Sequence, residues 1–132
     1  MSIEQYFRWI QRQIEACPAI INTIITYEKR DPSHGFLRGE LFMMDGSVLH
    51  VREFVNVARR VDRQTYAYQY MAADHRLIFR YDNADYYGRL GLPGHPHHRH
   101  DRAEIRVVAS NGPTLADVLV EIEQMVGLAD AG

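Results

Sequence analysis

A single cysteine, Cys17, rules out an internal disulfide, so stability must come from a packed core. No apolar run approaches the length of a membrane span, and the N-terminus MSIEQYFRWI lacks the basic and apolar segments of a secretory signal. The expected setting is therefore the cytoplasm, with no membrane partner. Net charge is also scarce, at -2 with neutral histidines, so any anionic ligand must be drawn by a local patch rather than by the whole molecule. There is no internal repeat and no low-complexity segment.

What remains is ordinary globular material. The 132 residues suit one domain over 1–132, with hydrophobic residues at 46% to build its core and 127–132 as a frayed tail. From Ile3 to about Ala16, apolar residues recur at helical spacing, with Ser2 and Gln5 as a capping box and Pro18 beyond the end. Ile20 to Lys29 is rich in branched residues and reads as a strand. Phe36 to Met43 and Val48 to Val57 flank Asp45-Gly46, the signature of a two-residue hairpin turn. That turn sets Phe42 opposite Leu49, Glu40 opposite Val51 and Arg38 opposite Glu53, an ion pair across the hairpin.

Thr65 to Ala72 and Leu77 to Asp82 form a second hairpin around Asp74-His75. Its alternation puts Tyr66, Tyr68, Tyr70, Phe79 and Tyr81 on one face, and Gln69, Arg80 and Asp82 on the other. Residues Ala84 to His95 read as a loop, with the histidines after it as part of the same excursion; Ile105 to Ala109 is a short last strand. Thr114 and Asp117 then cap a helix that Gly127 ends. The expected fold is α+β, a mainly antiparallel sheet of five or six strands with N- and C-terminal helices packed on it.

Four of the seven histidines, His95, His97, His98 and His100, fall within six positions. Imidazoles so grouped can bind a divalent transition metal, with Asp82 or Glu53 adding an oxygen ligand, although neighbouring histidines in one loop seldom all reach the same ion. Without metal or other cofactor, the same group can cleave RNA. In that reading His97, His98 or His100 carry protons, Asp82 or Glu53 orients an imidazole, and Arg80 or Arg99 stabilises the phosphorane. Arg38, Asn83 and Arg99 stand as candidate substrate contacts. A third reading is a polar loop that binds nucleic acid or a protein without reaction. A serine or cysteine nucleophile is not indicated.

Several motifs taken together resemble the TumE family of bacterial and archaeal toxin–antitoxin proteins. They are Tyr27-Glu28-Lys29-Arg30, Gly35-Phe36-Leu37-Arg38-Gly39-Glu40, Asp45-Gly46-Ser47, Arg52-Glu53-Phe54-Val55 and Tyr66-Ala67-Tyr68. The most specific are Leu77-Ile78-Phe79-Arg80-Tyr81-Asp82-Asn83-Ala84 and His97-His98-Arg99-His100. The resemblance implies a toxin acting on RNA or translation and neutralised by a cognate antitoxin, often a helix-turn-helix protein. Two departures stand out. Asp85-Tyr86-Tyr87 replaces the family's Pro-His-His segment, which would leave a metal site built on both histidine groups incomplete, and His75 replaces a turn glycine. The tyrosines and helix stripes also leave a homodimer open.

Overall fold

The computed structural model describes residues 1–84, 97–101, 106–110 and 112–131, with the backbone alone described at 106–109 and 128–131. The chain runs α1 (Ile3–Glu15), β1 (Ile20–Lys29), β2 (His34–Met43), β3 (Val48–Asn56), β4 (Asp62–Met71), β5 (Leu77–Asp82), β6 (His98–Asp101), β7 (Arg106–Ala109) and α2 (Leu115–Ala131). The seven strands form one antiparallel meander in sequence order, β1-β2-β3-β4-β5-β6-β7. Among the described residues no helix is long and apolar enough to cross a membrane.

Helix α1 begins where the sequence places it. Ser2 accepts the Gln5 amide, and the Gln5 side chain accepts the Ser2 amide. Its stripe, Ile3, Tyr6, Phe7, Ile10 and Ile14, is buried against the sheet. Gly35 lies under this helix, where an added Cβ would meet Ile3 and Phe7 side-chain atoms at 2.5–2.9 Å. Helix α2 packs on the same sheet face through Leu115, Val118, Leu119, Ile122 and Val126. It continues through Gly127 to Ala131. That glycine is not among the positive-φ residues, and without a left-handed turn a helical glycine costs only about 1 kcal/mol against alanine.

Two further expectations fail for reasons the geometry makes plain. The β2–β3 turn is not a two-residue turn with both centres at positive φ. Only Gly46 is left-handed (φ 86), and the Gly46 amide bonds to the Met43 carbonyl while the Met43 amide bonds to the Ser47 carbonyl. This is a type I turn closed by a glycine bulge, which adds one residue to the loop. The register therefore shifts by one: Arg38 pairs with Arg52, Glu40 with His50 and Leu37 with Glu53. A one-residue slip moves every side chain to the other face, so the expected Arg38–Glu53 pair does not exist.

The second failure concerns the histidines. His98 to Asp101 is a strand, β6, paired with both β5 and β7, so the described part of the expected histidine loop is sheet. The β4–β5 hairpin closes in the same way as β2–β3, with His75 left-handed (φ 69), its amide on the Ala72 carbonyl and the Ala72 amide on the Arg76 carbonyl. A bulge between Tyr70 and Met71 nevertheless restores the expected faces, with Tyr70 opposite Phe79, Tyr68 opposite Tyr81 and Gln69 opposite Arg80.

Candidate functional site

The registers set two rows of side chains across the face opposite the helices. One runs Thr26, Arg38, Arg52, Ala67, Asp82, His98; the other runs Ile24, Glu40, His50, Gln69, Arg80, His100. Between β1 and β5 these rows floor a cleft of about 410 Å³, which brings Arg38, Arg52 and Arg80 together with His50 and Gln69.

Arg38 and Arg52 are direct cross-strand partners and both are exposed. Among the described residues neither has a hydrogen bond or ion pair. Like charges set opposite each other are unfavourable for a sheet, so this pair gives the fold nothing and gives the cleft a concentrated positive field. Among the described residues that line the cleft the one acidic group is Glu40, whose carboxylate lies 3.9 Å from His50 Nδ1.

Arg80 forms the inner wall. Its Nε donates to Asp82 Oδ2 at 2.9 Å and its Nη1 to Gln69 Oε1 at 2.9 Å, which fixes the guanidinium in plane. Asp82, 2% exposed, is a hub. Its Oδ2 also lies 3.0 Å from His100 Nε2, its Oδ1 lies 3.8 Å from His98 Nδ1, and that oxygen accepts the Ala84 amide. Both histidines are buried. Sequence alternation thus delivers Arg80, Asp82, His98 and His100 to one place.

The other expected site residues lie elsewhere. Glu53 points into the core under the helices, 0% exposed, and accepts the hydroxyls of Tyr6 and of Tyr68, the latter at 2.5 Å. His97 is on that side too: its Nδ1 lies 2.7 Å from the Tyr66 hydroxyl, and its ring stacks on Tyr66. A single ion therefore cannot be ligated by His97 together with His98 and His100, which face the opposite way, and His95 lies outside the described residues. Among the described residues no group of three or more His, Cys, Asp or Glu side chains is arranged to hold a metal. Arg99 braces α2, bonding Glu121 Oε2 at 2.9 Å, Asp101 Oδ1 at 2.8 Å and the Tyr81 hydroxyl. Asn83 ties β5 to β4, accepting the Tyr66 amide and donating to the Gln64 carbonyl.

Three residues of the cleft, His50, Arg52 and Gln69, were not among the sequence candidates. Alternation had already set Gln69 on the face of Arg80; for His50 and Arg52 the signal was alternation with Arg38 and Glu40, and it was hidden by the register slip at the first hairpin.

Burial raises the Glu53 carboxyl above the ordinary glutamate value of 4.5, against the pull of its two tyrosine donors and Arg63. An acid with a raised native value binds its proton more tightly when folded, so its contribution to stability is complete below about pH 4.5 and is lost as pH rises through the native value. Wild type is therefore expected to gain stability relative to Glu53→Gln as pH falls from neutral to below that window. Urea midpoints of the two proteins across pH test this; carboxylates common to both cancel in the difference, and a difference of opposite slope would refute it.

The family model described as "Toxin TumE" matches residues 10–126. No curated protein and no solved structure matches the chain.

Proposed function

We propose that this chain, which belongs to the TumE toxin family, arrests growth by acting on RNA through the arginine cleft on its open sheet face. Family membership makes it a toxin component with a cognate antitoxin as partner; the RNA target and the site are our reading. The observation that carries it is the Arg38–Arg52 opposition beside Arg80, three guanidiniums of which two have no protein partner among the described residues. Guanidinium groups recognise phosphate through paired N–H donors, and a file of them along a sheet suits a backbone with repeated phosphates. His50 and Gln69 on the same floor supply contacts to sugar or base.

Cleavage without metal is the finer form of this reading. A 2'-hydroxyl attacks the adjacent phosphorus and the P–O5' bond breaks, leaving a 2',3'-cyclic phosphate and a 5'-hydroxyl. His50, which lines the cleft, accepts the 2'-hydroxyl proton, and His100, one register position beyond Arg80 and held by Asp82, returns one to the leaving oxygen. Arg80, on the cleft wall, stabilises the phosphorane. The antitoxin is expected to silence this activity, with a helix-turn-helix protein as its form.

Induced expression should stop growth and the antitoxin should restore it. In purified form, the chain should cleave RNA in the presence of chelator, and His50→Ala and His100→Ala should each slow it by about 10²–10⁴-fold. Cleavage abolished by chelator would replace the histidine mechanism with a metal-dependent one. RNA bound tightly but left intact would make the toxin a sequestering protein, and RNA neither bound nor cut would refute the reading.

A further inference from the structure

The outer edge of β1 carries a second feature, independent of the cleft chemistry. β1 is ten residues long, and among the described residues its strand partner is β2 alone. The Arg30 amide bonds the His34 carbonyl, and the Ile24 carbonyl is packed against Gly39, so the even-numbered residues of this strand turn their backbone groups towards β2. By alternation, Thr23, Ile25 and Tyr27 turn theirs away from the sheet. The Thr23 amide is taken up by its neighbour, the Asn22 side chain, at 2.9 Å.

Exposed edges in monomeric proteins are guarded by lysine, proline, bulges or shortness, because an unguarded edge pairs with other strands. The opposite edge, β7, is only four residues long. A bulge interrupts β1 between Ile20 and Asn22; from Asn22 to Tyr27 the edge has neither charge nor proline, and Ile21 and Ile24 are 67% and 62% exposed. Such a stretch is costly to leave in water.

The sequence of the strand also specifies what covers it. A two-fold axis through Ile24 sets Ile24 against itself, Thr23 against Ile25, Asn22 against Thr26 and Ile21 against Tyr27. Every residue in this overlap is uncharged, and Glu28, Lys29 and Arg30 fall outside it. Ile24 meets Ile24, Ile21 meets Tyr27 and the Asn22 amide meets the Thr26 hydroxyl, with only Thr23 and Ile25 of mixed character, in the self-complementary pattern an isologous dimer requires. We infer that two copies of this chain pair antiparallel through β1 to form one continuous sheet.

A two-fold that pairs strands in this way runs perpendicular to the sheet, so both sets of helices lie on one side and both arginine clefts on the other. Ile24 and Thr26 belong to the cleft floor. Pairing therefore joins the two clefts across the axis into a single surface long enough for an extended polyanion. This last consequence rests on the RNA reading, whereas the dimer does not.

Light scattering on the full chain is expected to give twice the 15.3 kDa chain mass. Ile24→Lys should return the mass to one chain with an unchanged circular dichroism spectrum. Ile24 occupies a non-hydrogen-bonded pair at the axis, where Cα atoms are about 4.5 Å apart, within disulfide range, so Ile24→Cys should cross-link under mild oxidation. Thr26→Cys, displaced from its own mate, should not; Cys17 is buried and adds no background. If Ile24→Lys fails to fold, the cross-linking pair decides. A monomeric wild type overturns the proposal, including the case in which β1 amides become protected from exchange only with antitoxin present. A dimer that Ile24→Lys leaves intact and Ile24→Cys does not lock overturns it as well. RNA activity lost with the dimer intact would refute the cleft reading alone.

Discussion

Arg52→Glu is expected to abolish RNA binding and toxicity while leaving the protein as stable as wild type or slightly more so. The substitution converts the unfavourable Arg38–Arg52 opposition into an ion pair across β2 and β3, a change worth about 0.2–1 kcal/mol in favour of folding. The same change removes one guanidinium from the cleft, places a carboxylate beside any bound phosphate and draws Arg38 away. Hydrogen bonds to charged groups contribute about 1.5–3 kcal/mol each, so the removal of both guanidiniums from phosphate weakens binding by about 10²–10⁴-fold. The salt dependence changes with it: the slope of log K against log salt should fall by about 0.7 for each phosphate of a single strand that is no longer neutralised. Fluorescence anisotropy with labelled RNA over a salt series, beside urea denaturation, measures both sides. Arg12→Glu on α1, under the other face of the sheet, makes the same charge change and should preserve binding. A stable variant that still binds and arrests growth would leave the arginine opposition without a role.

Stability and function pull apart at this pair because the pair was never part of the core, and the sequence shows why it was hard to see. Period-two alternation identifies the aromatic face of β4 and β5 and the polar face with Arg80 and Asp82, because a bulge between Tyr70 and Met71 offsets the residue that the Asp74-His75 turn adds. The first hairpin misleads because Asp45-Gly46 serves either a two-residue turn or a type I turn with a glycine bulge. Only the tertiary context, in which Leu37, Leu41 and Leu49 must all face the helices, chooses between them. One residue of difference separates a Glu53 beside Arg38 from the Glu53 that lies beneath Tyr6 in the fold.

The histidines mislead in a related way. His98-Arg99-His100-Asp101 has no β-branched residue to announce a strand. It is held as one by pairing on both sides, and alternation then sends His98 and His100 to Asp82 and Arg99 to Glu121. Adjacent histidines in a sequence suggest a cluster; in a strand they are separated by the thickness of the sheet. That separation divides His97 from His98 and divides the expected site into a polar cleft and a buried network around Glu53.

Asp82→Ala carries the largest expected cost to folding. Asp82 accepts from Arg80 and the Ala84 amide and lies 3.0 Å from His100 Nε2, at 2% exposure. Removing one partner from a buried charged cluster leaves the others desolvated and uncompensated, typically at about 3–5 kcal/mol, a large part of the about 5–15 kcal/mol by which domains are stable. Asp82→Asn keeps the shape and the acceptor for the Ala84 amide and loses only the charge, so its cost should be nearer about 1.5–3 kcal/mol. Cycles separate this from a general core defect. Asp82→Ala with His100→Ala should be less costly than the sum of the two by about 0.5–3 kcal/mol, because they share one interaction. Asp82→Ala with Glu53→Ala should add, because the sheet stands between them. Urea denaturation of the six variants beside wild type measures every value. An Asp82→Ala cost below about 1 kcal/mol would mean that backbone pairing alone holds β6, that Asp82 does not anchor His100, and that the proton carrier assigned to the inner wall has nothing to position it.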